Sequence, residues 1–344
     1  MTADAEARLD RLWRRGRDFL GVRLAVMGGA MTWVSEHNLV AAISNGGGFG
    51  VLASGSMTPS RLSEEIEATT RLTAKPFGVN LIVMHPELMG LAEACIAAEV
   101  SHVVLAGGLP PTAIVRRLKD AGVKVMGFAP AVVFAKKLIR GGVDALIIEG
   151  TEAGGHIGPV STSVLAQEIL PAVSEVPVFV AGGIGRGEAI ASYLEMGASG
   201  CQLGTRFVCA RESIAHPRFK QAFIRAVARD AMPSLQLDRR FPVIPVRALE
   251  NKASQRFLET QRQVIERFNK GEIDQKSAQL EIEHFWAGAL RRAVIDGDVE
   301  NGSLMAGQSV GMVKSEQSTE TILDELVGQA IATIARQERI GAAG

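Results

Sequence analysis

The chain has 344 residues with 37 basic and 37 acidic side chains, so its formal net charge is zero. That balance, with no strongly basic run, argues against nucleic-acid binding as the main task. A composition of 47% hydrophobic and 22% charged residues excludes a disordered chain. The length suits either two domains or one α/β barrel of about 250 residues with an appendage.

The charged start, MTADAEARLDRLWRRGRDF, lacks the apolar core of a signal peptide, and no apolar stretch is long enough to span a membrane. A cytoplasmic protein is expected. Cys95, Cys201 and Cys209 have apolar neighbours and no CxxC spacing, so they read as buried free thiols with no zinc site. Glycine makes up 37 of 344 residues, against a usual share of about 7%, which implies many tight backbone turns.

From residue 24 to 210 one rhythm repeats. The apolar runs are LAVM (24–27), FGVLA (49–53), FGVNLIV (77–83), HVVLA (102–106), VKVMGF (123–128), DALIIE (144–149), VPVFVA (176–181) and GCQLG (200–204). Amphipathic stretches such as SRLSEEIEATTRL and PPTAIVRRLKDAG separate them. Runs apolar throughout, rather than alternating, belong to strands buried on both faces, as in a parallel sheet. Eight such units close a (β/α)8 TIM barrel, whereas an open doubly wound sheet commonly has fewer strands. Residues 211–302 are more charged and read as a mostly helical lid or subdomain. The barrel is assigned to 1–210 and 303–344, with a last amphipathic helix (TETILDELVGQAIATIARQ) in its outer layer. The segment 250–300 has amphipathic surface for a homodimer contact or for burial against its own barrel.

Barrel chemistry sits in the loops after the strands, and the glycine-rich sequences fall there: MGGAMTW (27–33), EGTEAGGHIG (149–158), AGGIGRG (181–187) and LGTRF (203–207). The last two occupy the loops where barrels most often hold a phosphate, which proposes Gly182, Gly183, Gly204 and Thr205 as its donors. His156 stands in a Gly-Gly-His-x-Gly turn just past a strand end, where an imidazole can act as base or acid against a ligand in the barrel mouth. Glu149 ends its strand and either accepts hydrogen bonds from a ligand or pairs with a neighbouring strand end. Asn80 interrupts an apolar strand, and a buried amide left unbonded costs about 1–3 kcal/mol, so a ligand contact explains it better than packing does. Residues 27–31 offer a small-residue ledge for a flat ring. Trp33 reads equally as core or pocket wall, and the uncharged loop at 303–313 either folds back over the site or serves as a linker. His216 reads as a helix cap or anchor.

Together these motifs resemble the FMN-dependent nitronate monooxygenase (2-nitropropane dioxygenase) family, whose superfamily includes FMN-dependent enoyl-acyl-carrier-protein reductases. The matching segments are MGGAMTWVS, AISNGGGFGVLASG, KPFGVNL, GVDALIIEGTEAGGHIG, VPVFVAGGIGRGEAI, GASGCQLGTRFV and GSLMAGQSVGMV, in one order over about residues 24–313. The resemblance implies a flavoprotein oxidoreductase holding FMN noncovalently. It places Met27 and Gly28 under the flavin ring, gives Asn80, Glu149 and Gly154 further FMN contacts, and puts Gly182, Gly183, Gln202, Gly204 and Thr205 at the ribityl chain and phosphate. His156 matches the active-site histidine. The implied activity is oxidation of alkyl nitronates with O2. The alternative is an enoyl reductase using NAD(P)H as reductant and an enoyl thioester as substrate. Gly28-Gly29-Ala30 departs from the alanine-proline-methionine of typical nitronate oxidisers.

Overall fold

The computed structural model describes residues 2–342. Strands β1 (Val26–Gly28), β2 (Phe49–Ala53), β3 (Gly78–Ile82), β4 (His102–Ala106), β5 (Lys124–Phe128), β6 (Ala145–Glu149), β8 (Val178–Ala181) and β9 (Gly200–Leu203) form a closed parallel barrel. The ring closes where Met27 of β1 registers with Gln202 of β9. A two-residue strand, β7 (Gly155–His156), lies outside it. With the surrounding helices this is a TIM barrel, the architecture that the eight apolar runs predict.

Alternate residues on each strand separate into two layers. Met27, Phe49, Val51, Val104, Met126, Ile147, Phe179 and Ala181 pack together inside the barrel. Val79, Leu81, Val103, Leu105, Leu146, Ile148, Val180 and Leu203 pack outward beneath the helices. Both faces are therefore apolar, which is why the runs read as continuous. The C-terminal helix Thr319–Ala342 packs on helices Gly187–Glu195 and Thr2–Leu12 and completes the outer layer. The three cysteines are buried and unpaired. No helix among the described residues is long and apolar enough to cross a membrane.

The charged N-terminus has a structural task that its composition does not announce. Helices Thr2–Leu12 and Arg14–Leu20 lead into the base of the barrel, where Leu20 joins the interior cluster and Phe19 packs against it. Gly16 permits this approach, since a Cβ there would lie 2.0 Å from the Ser199 carbonyl oxygen. The Phe19 carbonyl accepts from Lys124 Nζ (2.6 Å) and is 2.9 Å from His102 Nε2. Phe19 and Phe49 meet the His102 ring edge-on at 5.2 and 4.9 Å.

Burial lowers the His102 pKa from 6.5 to about 4, and the nearby Lys124 charge pushes the same way. The folded state thus binds its proton less readily than the unfolded chain. This contribution is constant above pH 6.5, falls as pH drops from 6.5 to 4, and is flat again below. The full loss is roughly 3 kcal/mol at about 1.4 kcal/mol per pH unit. Urea midpoints measured at pH 7, 5.5 and 4.5 should show a decline that His102→Leu reduces. Parallel declines in the two proteins would remove His102 as the cause.

Beyond helix Pro217–Arg225, the stretch expected to be mostly helical contains three helices, Lys252–Asn269, Gln275–His284 and Ala289–Val294. The first two build a small core of Phe241, Phe257, Val264, Ala278 and Ile282. It also contains two short strands, β10 (Ala231–Pro233) and β11 (Val246–Leu249), that sequence reading missed. They form an antiparallel sheet in the order β10-β11-β7. Strands of three and four residues paired to a distant turn leave no local periodicity to detect. His216 is the N-cap of helix Pro217–Arg225, its Nδ1 accepting from the Arg218 amide at 3.1 Å.

Candidate active site

The inward parity of the strands sets which polar side chains meet at the C-terminal mouth of the barrel. Glu149, Ala181, Gln202 and Met27 lie on one register row across β6, β8, β9 and β1. Asn80 on β3 registers with Ala53 and Val104. The Asn80 amide nitrogen donates to the Val104 carbonyl at 3.2 Å, and its Oδ1 has no hydrogen-bond partner among the described residues. Gln202 is only 8% exposed, yet its amide hydrogen-bonds to no group among the described residues. Glu149 is half-buried and likewise without a partner there, and burial raises its carboxyl to about 7. Met27 is fully enclosed in the barrel interior, so only its backbone could meet a ligand. Gly28 packs closely on the Cδ1 end of Ile43 from helix His37–Asn45.

The rim supplies free donors. Gly182 and Gly183 have φ of +95° and +72°, the left-handed region that favours glycine. The backbone amides of Gly182, Gly183, Gly204 and Thr205 donate to no other group among the described residues. The loop after β8 is fixed from behind: Glu152 accepts from the Thr162 amide and hydroxyl at 2.9 Å, and the Thr162 hydroxyl is 3.1 Å from the Gly182 carbonyl.

The segment 303–313 is folded onto the site. The Gly307 amide donates to Thr205 Oγ1 (2.9 Å), and the Gln308 amide donates to the Glu152 carbonyl (2.9 Å). A Cβ on Gly154 would stand 2.6 Å from the Gly307 nitrogen, so this crossing requires glycine at 154. The expected Gly154 therefore touches the strap.

His156 is held by β7. It registers with Val246 of β11, and the Ile157 amide donates to the Pro245 carbonyl at 3.0 Å. Its ring lines an apolar cavity of about 460 Å³ between the small sheet and the helical segment. Phe257, Leu258, Ile282 and Trp286 line it, as do Met305 and Ser303 of the strap. None of the other expected site residues lines this cavity. The structure thus gathers Asn80, Glu149 and Gln202 at the mouth and the glycine loops on its rim, and sets His156 in the wall of a neighbouring chamber. Desolvation in the cavity wall lowers the His156 pKa below its ordinary value.

Trp33 does not line the cavity; it is half-buried, with the Arg291 guanidinium 5.8 Å from its ring centre. Glu36, His37 and Glu65 bring metal-type donors together. Their oxygens already accept from the Asn38 and Leu39 amides and from Arg61, which accounts for the cluster without an ion.

A family model described as nitronate monooxygenase matches residues 15–329. The chain belongs to the nitronate monooxygenase family. It is therefore an oxidoreductase. Among its relatives is a 5-hydroxy-7a-methyl-1-oxo-octahydro-1H-indene-4-carboxyl-CoA dehydrogenase of Rhodococcus jostii, 31% identical over 340 residues, with 92% of this chain and 95% of the relative covered. FabK from Thermotoga maritima is similar in structure, with a TM-score of 0.85, 33% identity and coverage of 95% of this chain and 98% of that one. The nitroalkane oxidase of Streptomyces ansochromogenes has a TM-score of 0.76, 25% identity and coverage of 93% and 99%.

Within this family member, sequence reasoning passed over Arg247. It is 6% exposed and donates from Nε to the Thr151 carbonyl (2.8 Å) and from Nη1 to the Ala231 carbonyl (2.6 Å). It joins the loop carrying His156 to the small sheet. The cavity walls were passed over too, because they come from segments that meet only in the folded chain. The one local signal was the apolar string FPVIPV (241–246) inside a charged stretch.

Proposed function

We propose that the chain is an FMN-dependent oxidoreductase whose substrate carries an extended apolar group, presented as an acyl thioester. The cavity carries this reading. Its volume lies within the range of sites that enclose drug-sized ligands, and its walls are aliphatic and aromatic apart from a few polar groups. A small alkyl nitronate would use a fraction of it. The name of the Rhodococcus jostii relative, a dehydrogenase of a ring-bearing CoA ester, supports the same substrate class. Nitronate oxidation with O2 is the second reading, supported by the family's own description.

The mouth fits FMN. The amides of Gly182, Gly183, Gly204 and Thr205 are free to receive a phosphate, and Gln202, Asn80 and Glu149 have polar atoms without protein partners above an apolar interior. Bound there, FMN would accept or donate a hydride. The chain's own part is to hold the phosphate on backbone amides, exclude water with the strap, and seat the acyl group between Met305 and the helices. His156, whose pKa desolvation lowers, gives or takes the proton on the carbon chain seated in the cavity.

Anaerobic mixing tests the assignment. Bleaching of the flavin by NADH or NADPH, followed by reoxidation with enoyl thioesters more rapidly for longer chains than for crotonyl-CoA, is the expected result. Reduction by an alkyl nitronate with no response to NAD(P)H or thioester would replace it with the nitronate reading.

A further inference from the structure

We propose that Glu149 engages the cofactor as a neutral carboxylic acid that donates a hydrogen bond, so that FMN binding is coupled to the uptake of a proton by this residue. The inference rests on the FMN reading given above and goes beyond it. Its basis is placement. Glu149 is two residues past Ile147, an interior residue, so its side chain points into the barrel and not toward the helices. The residues facing the same space are Met27, Asn80, Val104, Met126, Ala181 and Gln202, and none carries a charge.

The charged groups on neighbouring elements are turned elsewhere. Glu152, three residues on, is committed to Thr162. On the flanking helices Val132–Arg140 and Thr162–Ile169, Lys136 bonds Glu175, and Lys137, Arg140 and Glu168 are on the exposed surface. Asp144 at the opposite end of β6 accepts from Lys119 and the Val125 amide. His156 lines the apolar cavity, whose wall includes none of the mouth residues. The Arg247 guanidinium is committed to the Thr151 and Ala231 carbonyls, and the Glu149 carboxyl accepts no hydrogen bond and makes no ion pair among the described residues. An ionised carboxylate so placed is disfavoured by desolvation, in keeping with a carboxyl raised to about 7. A flavin ring offers mostly carbonyl and imine acceptors, which a neutral acid satisfies and a carboxylate repels.

The test is FMN rebinding to flavin-stripped, full-length protein, followed by fluorescence quenching from pH 6 to 9. Between pH 7.5 and 9 the FMN phosphate is already a dianion, so its own titration is complete. The dissociation constant of the parent should rise roughly tenfold per pH unit in that window, following the linkage of one proton. Glu149→Gln, which keeps a donor and cannot ionise, should bind FMN at pH 9 as tightly as at pH 7. Affinity of the parent that is flat or improves with pH would overturn the proposal, as would pH dependence retained in Glu149→Gln. Failure to bind FMN at any pH would instead remove the cofactor assignment itself.

Discussion

Replacing His156 with alanine is expected to lower turnover by about 10²–10⁴-fold, the usual size of a lost general acid or base. FMN content should stay unchanged. The separation of effects follows from the structure: the imidazole lines the apolar cavity, while the unpartnered amides and side chains proposed to hold the cofactor lie in the barrel mouth and its rim. Desolvation lowers the imidazole pKa. The loss should therefore appear in the rate of flavin oxidation by substrate under anaerobic conditions, with the flavin spectrum intact. His156→Gln should lose as much, since it restores a hydrogen bond and no titrating group. Variants that lose FMN yet keep the parent's rate per bound flavin would make His156 a cofactor ligand and remove its proton-transfer role.

The second large effect is structural. Arg247→Leu preserves the aliphatic stem and removes two charge-assisted hydrogen bonds to the Thr151 and Ala231 carbonyls, leaving both short of a donor. A loss of about 2–4 kcal/mol is expected from that count. The damage should concentrate in the loop 151–157, because Arg247 also registers with Gly155, and its carbonyl accepts from the Ala306 amide of the strap. Urea denaturation and limited proteolysis would show a lowered midpoint and early cleavage in that loop. Arg247→Lys has one ammonium in place of a planar fork and should recover part of the stability. If Arg247→Leu matches the parent in stability and turnover, the guanidinium is not what fixes the His156 loop.

Much of the barrel is legible in the chain because its signals are local. A strand buried on both faces announces itself within five residues, as FGVLA and HVVLA do, and the observed β2 and β4 have those bounds. Asn80 stood out for the same reason: an amide inside an apolar strand is anomalous wherever the strand lies. The glycines at 182 and 183 were legible as turns, and their positive φ shows why no other residue type suits them.

Periodicity and turn chemistry act over a few neighbouring positions, so the eight β/α units, the glycine-bearing rim and the candidate residues of rim and mouth can be read from the chain alone. Which of them meet depends on the closed fold. It set Gln202 and Glu149 on one row through strand register, put His156 in the wall of an apolar cavity that no other expected site residue lines, and turned a charged N-terminus into the plug of the barrel base. The small sheet and the buried Arg247 depend on segments roughly 90 residues apart in the chain. A guanidinium buried by such a pairing looks, in sequence, like any surface arginine. What stabilises it is desolvated contact with distant carbonyls, and that contact exists only after the chain has closed.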